Sequence, residues 1–293
     1  MVCAVRNFPL LWHIVAVKPF PAPGTKPMEQ GAYLVDIGCN LTHDSFDADR
    51  DEVIERALAA GVGRIVVTGS SAESSRQAAE LAGGRPKILY ATAGVHPHHA
   101  ADYTLATEQL LRRLAAQAEV VAIGECGLDY FRNYSPRAAQ RDAFAAQLEI
   151  AAASGLPVFL HQREADEEFV EILSPWLPRL SRAVAHCFTG DRKMLHRYLD
   201  LGLYIGITGW ICDERRGGAL RDAAPALPLD RVMIETDAPY LLPRSLHPRP
   251  ATRRNEPACL REVLRVLAEA SGHPAAVLAR ASTENAERFF DLR

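Results

Sequence analysis

The chain has 293 residues, 48% of them hydrophobic and 24% charged, with 19 glycines and 19 prolines. That is the composition of an ordinary globular domain, and it excludes disordered, collagen-like and low-complexity proteins. The formal net charge is −3, whereas a protein that wraps duplex DNA by charge alone is usually far more basic. The length suits one large barrel or two smaller domains, and either buries a core without staples. Six cysteines (Cys3, Cys39, Cys126, Cys187, Cys212, Cys259) form no C-x-x-C pair. This fits reduced thiols in a cytoplasm better than a disulfide scaffold.

Residues 8–17, FPLLWHIVAV, form an apolar run of ten. A transmembrane helix needs about 20. A signal-peptide core can be that short, but the following PFPAPGTKP offers no small-x-small cleavage site. Residues 1–35 are therefore expected to be a loose, proline-rich extension or the product of an upstream start, with Met28 as the natural one. The extension holds three basic residues and one acidic, so residues 36–293 carry 30 basic and 35 acidic, a net −5.

From Asp36 the chain repeats a pattern. Short apolar or β-branched runs at 33–37, 64–68, 88–93, 119–123, 157–160, 183–186, 203–207 and 231–235 are each followed by a stretch of helical character. Residues 137–153 place Phe144, Leu148 and Ala151 on one helical face, and 258–270 and 274–290 read as two closing helices. A βαβ unit occupies about 30 residues. Eight such units predict a single (β/α)8 TIM barrel over 36–293, a size near the ~250 residues typical of that fold. A doubly wound open sheet is the rival; it wants a glycine-rich phosphate turn after an early strand, and DIGCNLTHD has none.

The strand ends carry chemistry. They read Gly94-Val95-His96, Gly124-Glu125-Cys126, Leu160-His161, Ala185-His186 and Thr236-Asp237. In a barrel all strands point one way, so these residues meet at the C-terminal mouth. Glu125, His161, His186 and Asp237 can then face one ion. Imidazole and carboxylate together suit Zn²⁺ or Mn²⁺, and an oxygen-rich set suits Mg²⁺. Asp237 is the candidate proton acceptor from water, and Glu125 the candidate bridge between two ions. A lone strand-end histidine is more often a structural hydrogen-bonder. Two histidines and two acids together resist that explanation, because buried charges need partners.

Other candidates surround this set. His96 is assigned a site role; His98 and His99 are left as loop or surface residues. Glu235 reads as an orienter of a ligand or as a barrel-interior acid, and Cys126 and Cys187 as packing. Residues 244–254, RSLHPRPATRR, hold four arginines and no acid. They follow the last strand, which makes Arg253 and Arg254 candidate phosphate contacts, with Arg163 as a further one. A solvated loop is the plain alternative. Tyr130 and Phe131 are placed either to stack an end base or to pack under their loop.

GVHPH (94–98), VAIGECGLD (121–129), HCFTG (186–190), YIGITGWICDERRG (204–217), IETDAPYLLPR (234–244) and RRNEPA (253–258) resemble the blocks of TatD-type metal-dependent deoxyribonucleases, within the amidohydrolase-like superfamily. The resemblance covers Asp36–Arg293 and is strongest to the bacterial branch. It implies an amidohydrolase-type barrel, a cytoplasmic location, 3′→5′ exonuclease action on single-stranded DNA or RNA, and a role in DNA repair. It carries Glu125 over as the metal-bridging glutamate, His161 and His186 as histidine ligands, Asp237 as the aspartate that binds metal or water, and His96 as a mouth histidine.

The wider family opens with a His-x-His pair where this chain has Gly38 and Asn40. One ion is therefore expected on Glu125, His161 and His186. A second would have Asp36, Glu125 and Asp237, an oxygen-rich set that favours Mg²⁺ over Mn²⁺ or Zn²⁺. Gln162 stands where related sequences often carry cysteine. The charge pattern predicts a grip on short single-stranded ends with a shallow salt dependence; the chain is expected to be a monomer with no membrane partner. Two alternatives stand beside the nuclease: a metal-dependent deacylase of D-aminoacyl-tRNA, told apart by its products, and a non-catalytic binding barrel.

Overall fold

A computed structural model describes residues 33–292. The expected extension lies outside the described residues up to position 32. The first strand begins at Leu34, just ahead of the expected boundary at 36. The described strands are β1 (Leu34–Cys39), β2 (Val62–Val67), β3 (Leu89–Ala93), β4 (Val120–Asp129), β5 (Val158–Arg163), β6 (Ala183–Ala185), β7 (Tyr204–Ile207) and β8 (Val232–Ile234). They pair in parallel and in sequence order. Asp237 N donates to Gly38 O at 2.8 Å, and Asn40 N to Ala238 O at 2.7 Å. These bonds draw the end of β8 against β1 and close the (β/α)8 ring that the repeat predicted.

The helices lie between successive strands and after the last: α1 (Arg50–Ala59), α2 (Ala72–Gly84), α3 (Leu105–Leu114), α4 (Arg137–Ser154), α5 (Asp166–Leu173), α6 (Arg192–Asp200), α7 (Gly218–Ala223), α8 (Leu260–Ser271) and α9 (Ala275–Phe290). The expected face of α4 is the one buried: Phe144, Leu148 and Ala151 are inaccessible. Phe144 stacks on Phe169 of α5 with ring centroids 5.5 Å apart. Among the described residues no helix is long and apolar enough to cross a membrane.

The two ends of the barrel differ. Val35, Tyr90, Val121, Tyr204 and Met233 form one apolar cluster with Phe289 and Phe290 of α9, and Phe289 meets Tyr204 edge-on at 5.2 Å. Most of these strand residues lie near the strands' N-terminal ends, so α9 plugs that end. The other end is lined by buried polar groups, Asp36, Glu125, Asp129, His186, Glu235 and Thr236.

One strand departs from expectation. Gly124 reads as a turn that ends the fourth strand, yet β4 continues to Asp129. Gly124 and Gly127 adopt φ of 134° and 143°. A Cβ on them would lie 2.1 Å from Phe159 O and 1.9 Å from His161 O, so only glycine allows β5 so close. The continued strand pairs Gly127 with His161 and Asp129 with Arg163. That pairing places Glu125 and His161 on neighbouring strands at the mouth.

Candidate metal centre

Glu125 is the hub. Its Oε1 lies 2.8 Å from His161 Nδ1, 2.9 Å from His186 Nε2 and 3.4 Å from His96 Nε2. Donor atoms of His96, Glu125 and His161 all lie within 4.8 Å of one another. The carboxylate is almost wholly buried, and burial opposes its charge. His186 and His96, with hydrogen bonds from His161 and His186, outweigh that and hold its carboxyl well below the usual range. Burial disfavours charge on His186 too, but Glu235 and Glu125 raise its pKa well above the ordinary value. For His96 burial dominates, and its pKa falls.

The hydrogen bonds assign the nitrogens. His186 Nδ1 lies 3.0 Å from Glu235 Oε2. A carboxylate accepts, so Nδ1 donates to Glu235 and Nε2 donates to Glu125, in keeping with the raised pKa; loss of the Nε2 proton, with Nδ1 still held by Glu235, would free the lone pair for a cation. His96 differs: its Nδ1 accepts from His98 N at 3.0 Å, so its neutral ring holds its proton on Nε2 and presents a donor. His161 Nε2 is buried without a hydrogen bond, 3.5 Å from Asp129 Oδ2. Burial disfavours charge on His161, but Asp129 and Glu125 raise its pKa. Two imidazole nitrogens thus converge within 3 Å of one carboxylate oxygen. This donor set is the chemistry of a divalent cation, and the unbonded His161 Nε2 marks a ring held for another purpose than a full complement of hydrogen bonds.

Asp237 follows β8 with φ 53°, and its Oδ1 accepts from Asn40 Nδ2 at 3.0 Å. Burial raises its pKa, and the negative charges of Glu125 and Glu235 add to this against His186. Asp36 lies beneath the mouth. Its Oδ1 accepts from Thr236 N at 2.9 Å and Gly38 N at 3.3 Å, and its Oδ2 from the Thr236 hydroxyl. Burial pushes its pKa up to about 8 despite those bonds. Both oxygens expected on a second ion are thus already in use at the β1–β8 seam.

The structure also accounts for the missing His-x-His pair. A Cβ on Gly38 would meet Glu235 Oε2 at 2.4 Å, and one on Gly206 would meet Glu235 Oε1 at 2.6 Å. The two glycines form the slot in which the Glu235 carboxylate sits, and a histidine at 38 would displace it. Asn40 replaces an imidazole with an amide that fixes Asp237. Gln162 donates to the Tyr198 hydroxyl at 2.8 Å and ties β5 to α6.

The remaining candidates separate. Arg163 lies 4.0 Å from the Phe131 ring centre. Tyr130 gives its hydroxyl to Glu168 and its ring face to Arg137 at 4.1 Å, so it ties its loop to α5 and α4. Phe131 and Tyr134 on the same loop are exposed aromatics, as is Tyr240 beyond β8. Arg254 donates to Ser45 O, to both oxygens of Asp49 and to Glu256. Arg253 beside it is exposed.

Asp129 is not among the sequence candidates, and His98, read there as a loop or surface residue, turns out to face the site. Asp129 is buried, accepts from His98 Nε2 at 2.8 Å and from Arg132 N, and faces His161. Burial opposes its charge, but His161, His98 and Arg132 hold its carboxyl far below the usual range. The His-Pro-His spacing was the available signal, since a tight turn brings both rings to one side.

The model of the family described as TatD related DNase matches residues 35–291. A 3′-5′ ssDNA/RNA exonuclease TatD from Erwinia tasmaniensis is 53% identical over 259 residues, covering 88% of this chain and all of that one. Its counterpart from Pantoea ananatis is 52% identical over the same share of both chains. Among solved structures, the TatD homologue YJJV from Escherichia coli superposes with a TM-score of 0.80 at 31% identity, covering 88% of this chain and 98% of that one. A family match over nearly all of the described barrel, with relatives above 50% identity, shows that the chain belongs to the TatD related DNase family.

Proposed function

We propose that this protein is a metal-dependent exonuclease that removes nucleotides from the 3′ end of single-stranded DNA or RNA. The observation that carries the reading is the convergence of His161 Nδ1 and His186 Nε2 on Glu125 Oε1, in a family whose relatives are named for that activity. Glu125, His161 and His186 would hold the first divalent cation. A bound cation supplies Lewis-acid polarisation of a phosphoryl oxygen and a lower pKa for water. An oxygen-rich second position, suited to Mg²⁺, would draw on Glu125 and Asp237. Asp36 joins it only by releasing Thr236 and Gly38.

The chain's own groups do the rest. Asp237, fixed by Asn40, accepts the proton of the attacking water. Glu235 keeps His186 in one tautomer and orientation. His96 presents its Nε2 proton toward the same centre, where it can donate to a phosphoryl oxygen. Arg163 and Arg253 supply guanidinium forks for phosphate, and Phe131 and Tyr134 supply faces for a base. The five described cysteines are all free, which supports a cytoplasmic setting. The proposal extends to a role in DNA repair, where single-stranded ends arise.

Digestion of a 5′-labelled single strand tests the reading. The wild type with Mg²⁺ should shorten the strand stepwise from the 3′ end and release nucleoside monophosphates. His186→Ala should lose about 10³-fold in rate, the equivalent of about 4 kcal/mol of transition-state stabilisation. Equal activity in the variant and wild type would remove the metal centre from the mechanism. Release of an amino acid from charged tRNA, with the strand intact, would select the deacylase.

A further inference from the structure

A cavity of about 550 Å³ opens beside the metal centre, between the loops that follow β7 and β8. Its walls carry Arg215, Arg216, Arg244, Arg249 and Arg253 and no acidic residue; Leu241 and the prolines give it shape. Its β8 wall begins at Leu241, four residues beyond Asp237. Tyr240 N bonds Asp237 O at 3.0 Å, and Gly209, two residues beyond β7, packs against Leu241 O.

The arginines fall into two sets. Asp213 is buried and accepts from Arg215 Nε and Nη2 at 3.1 and 3.0 Å, and from Arg216 Nε at 2.8 Å. Arg216 also lies over Trp210 at 4.2 Å, and Arg244 is paired with Glu214. These bonds leave an Nη1 group free on Arg215 and on Arg216, held in place before any ligand arrives, which lowers the ordering cost of binding. Arg249 and Arg253 have no ion pair or hydrogen bond among the described residues. Five guanidinium groups face two carboxylates here, an excess of three positive charges beside a barrel of net negative charge.

We propose that this cavity binds the sugar–phosphate backbone of the single strand on the 5′ side of the nucleotide being removed. The inference rests on the exonuclease reading, because a strand whose 3′ end lies at Glu125 must leave the mouth over one rim. The β4–β5 rim offers the base faces of Phe131 and Tyr134; the β7–β8 rim offers forks for phosphate oxygens. Contacts of this kind read no sequence, so the site serves any strand.

The test is binding without turnover. Fluorescence anisotropy of 5′-fluorescein-dT15 is followed against KCl with metal-stripped protein in chelator. Each phosphate contact on a single strand contributes about 0.7 to the salt slope. R249A/R253A should therefore flatten the slope by about 1.4 and weaken binding about 25-fold at 0.1 M salt. Neither side chain holds the fold, so the variant's melting temperature should match the wild type's. The dinucleotide dTpdT has a single internucleotide phosphate, which the proposal places at the metal centre, so its affinity should differ little between the two proteins. An unchanged slope and affinity for dT15 in the variant overturns the proposal, and stepwise hydrolysis by the wild type would then leave the exonuclease reading intact. A flattened slope with no hydrolysis by the wild type in Mg²⁺ overturns the exonuclease reading and keeps the backbone site.

Discussion

The same eight strands end in opposite chemistries. Near their N-terminal ends they bury aliphatic and aromatic side chains against Phe289 and Phe290 of α9. At their C-terminal ends they bury Asp36, Glu125, Asp129 and Glu235 among histidines. Burying apolar groups stabilises the fold, whereas burying carboxylates costs free energy unless each finds a partner. The barrel thus keeps its stability at one end and concentrates strained electrostatics at the other. A single substitution at either end should move one property and spare the other.

Phe289→Ala is the largest expected break on the stable side. The ring is fully buried, and truncating a buried phenylalanine costs about 3–5 kcal/mol. Thermal or urea unfolding should show that loss. Metal affinity and kcat, measured well below the melting temperature, should stay at wild-type values. A fall in kcat with unaltered stability would show that the two ends are coupled.

Glu235→Gln is the matching break at the mouth, and a smaller one. The variant stays isosteric in its slot between Gly38 and Gly206 but no longer offers His186 Nδ1 a charged acceptor. Removing a partner of this kind typically costs 10–100-fold in metal affinity or activity. Calorimetric titration with Mn²⁺ would measure it directly, in the absence of substrate. An unchanged Mn²⁺ affinity would make Glu235 a packing residue only.

How far these features were legible depends on the distance over which each is encoded. The barrel was readable because periodicity is local: each apolar run and each helical face, such as Phe144 and Leu148 in α4, lies within one segment. Glu125, His161 and His186 were readable because parallel strands bring all their ends to one mouth. The true length of β4 was not, since Gly124 carries the signal of a turn, and only the approach of Phe159 and His161 shows why glycine is there. Gly38 reads as a lost ligand, while its role is to admit Glu235 from the end of β8, nearly 200 positions away in the sequence and next to β1 in the ring. Arg254 reads as one more cation in a basic run; nothing near it in the sequence names Asp49, 205 positions away, as its partner. Charge runs are legible as composition, but which charges remain free is settled by tertiary contacts.

The Arg254–Asp49 pair anchors the mouth loop without touching the plug, and its contribution is the smallest. The hydrogen bond from Arg254 outweighs the cost of burial and, with that from Arg56, holds the Asp49 carboxyl down to about 2. The folded state therefore favours ionised Asp49 more than the unfolded chain does, whose aspartates titrate near 3.9. The sign follows: the stabilisation is fully present above about pH 4 and is lost as the pH falls through 2. Asp49 and its partners are partly exposed, so solvent screening limits the effect to about 0–1 kcal/mol. Asp49→Asn should accordingly melt no more than about 2–4 °C below the wild type near neutral pH. The gap should close as acid protonates the wild-type carboxylate between about pH 4 and 2. A gap that persists unchanged down to pH 2 would mean that Asp49 anchors the loop through its shape and not its charge.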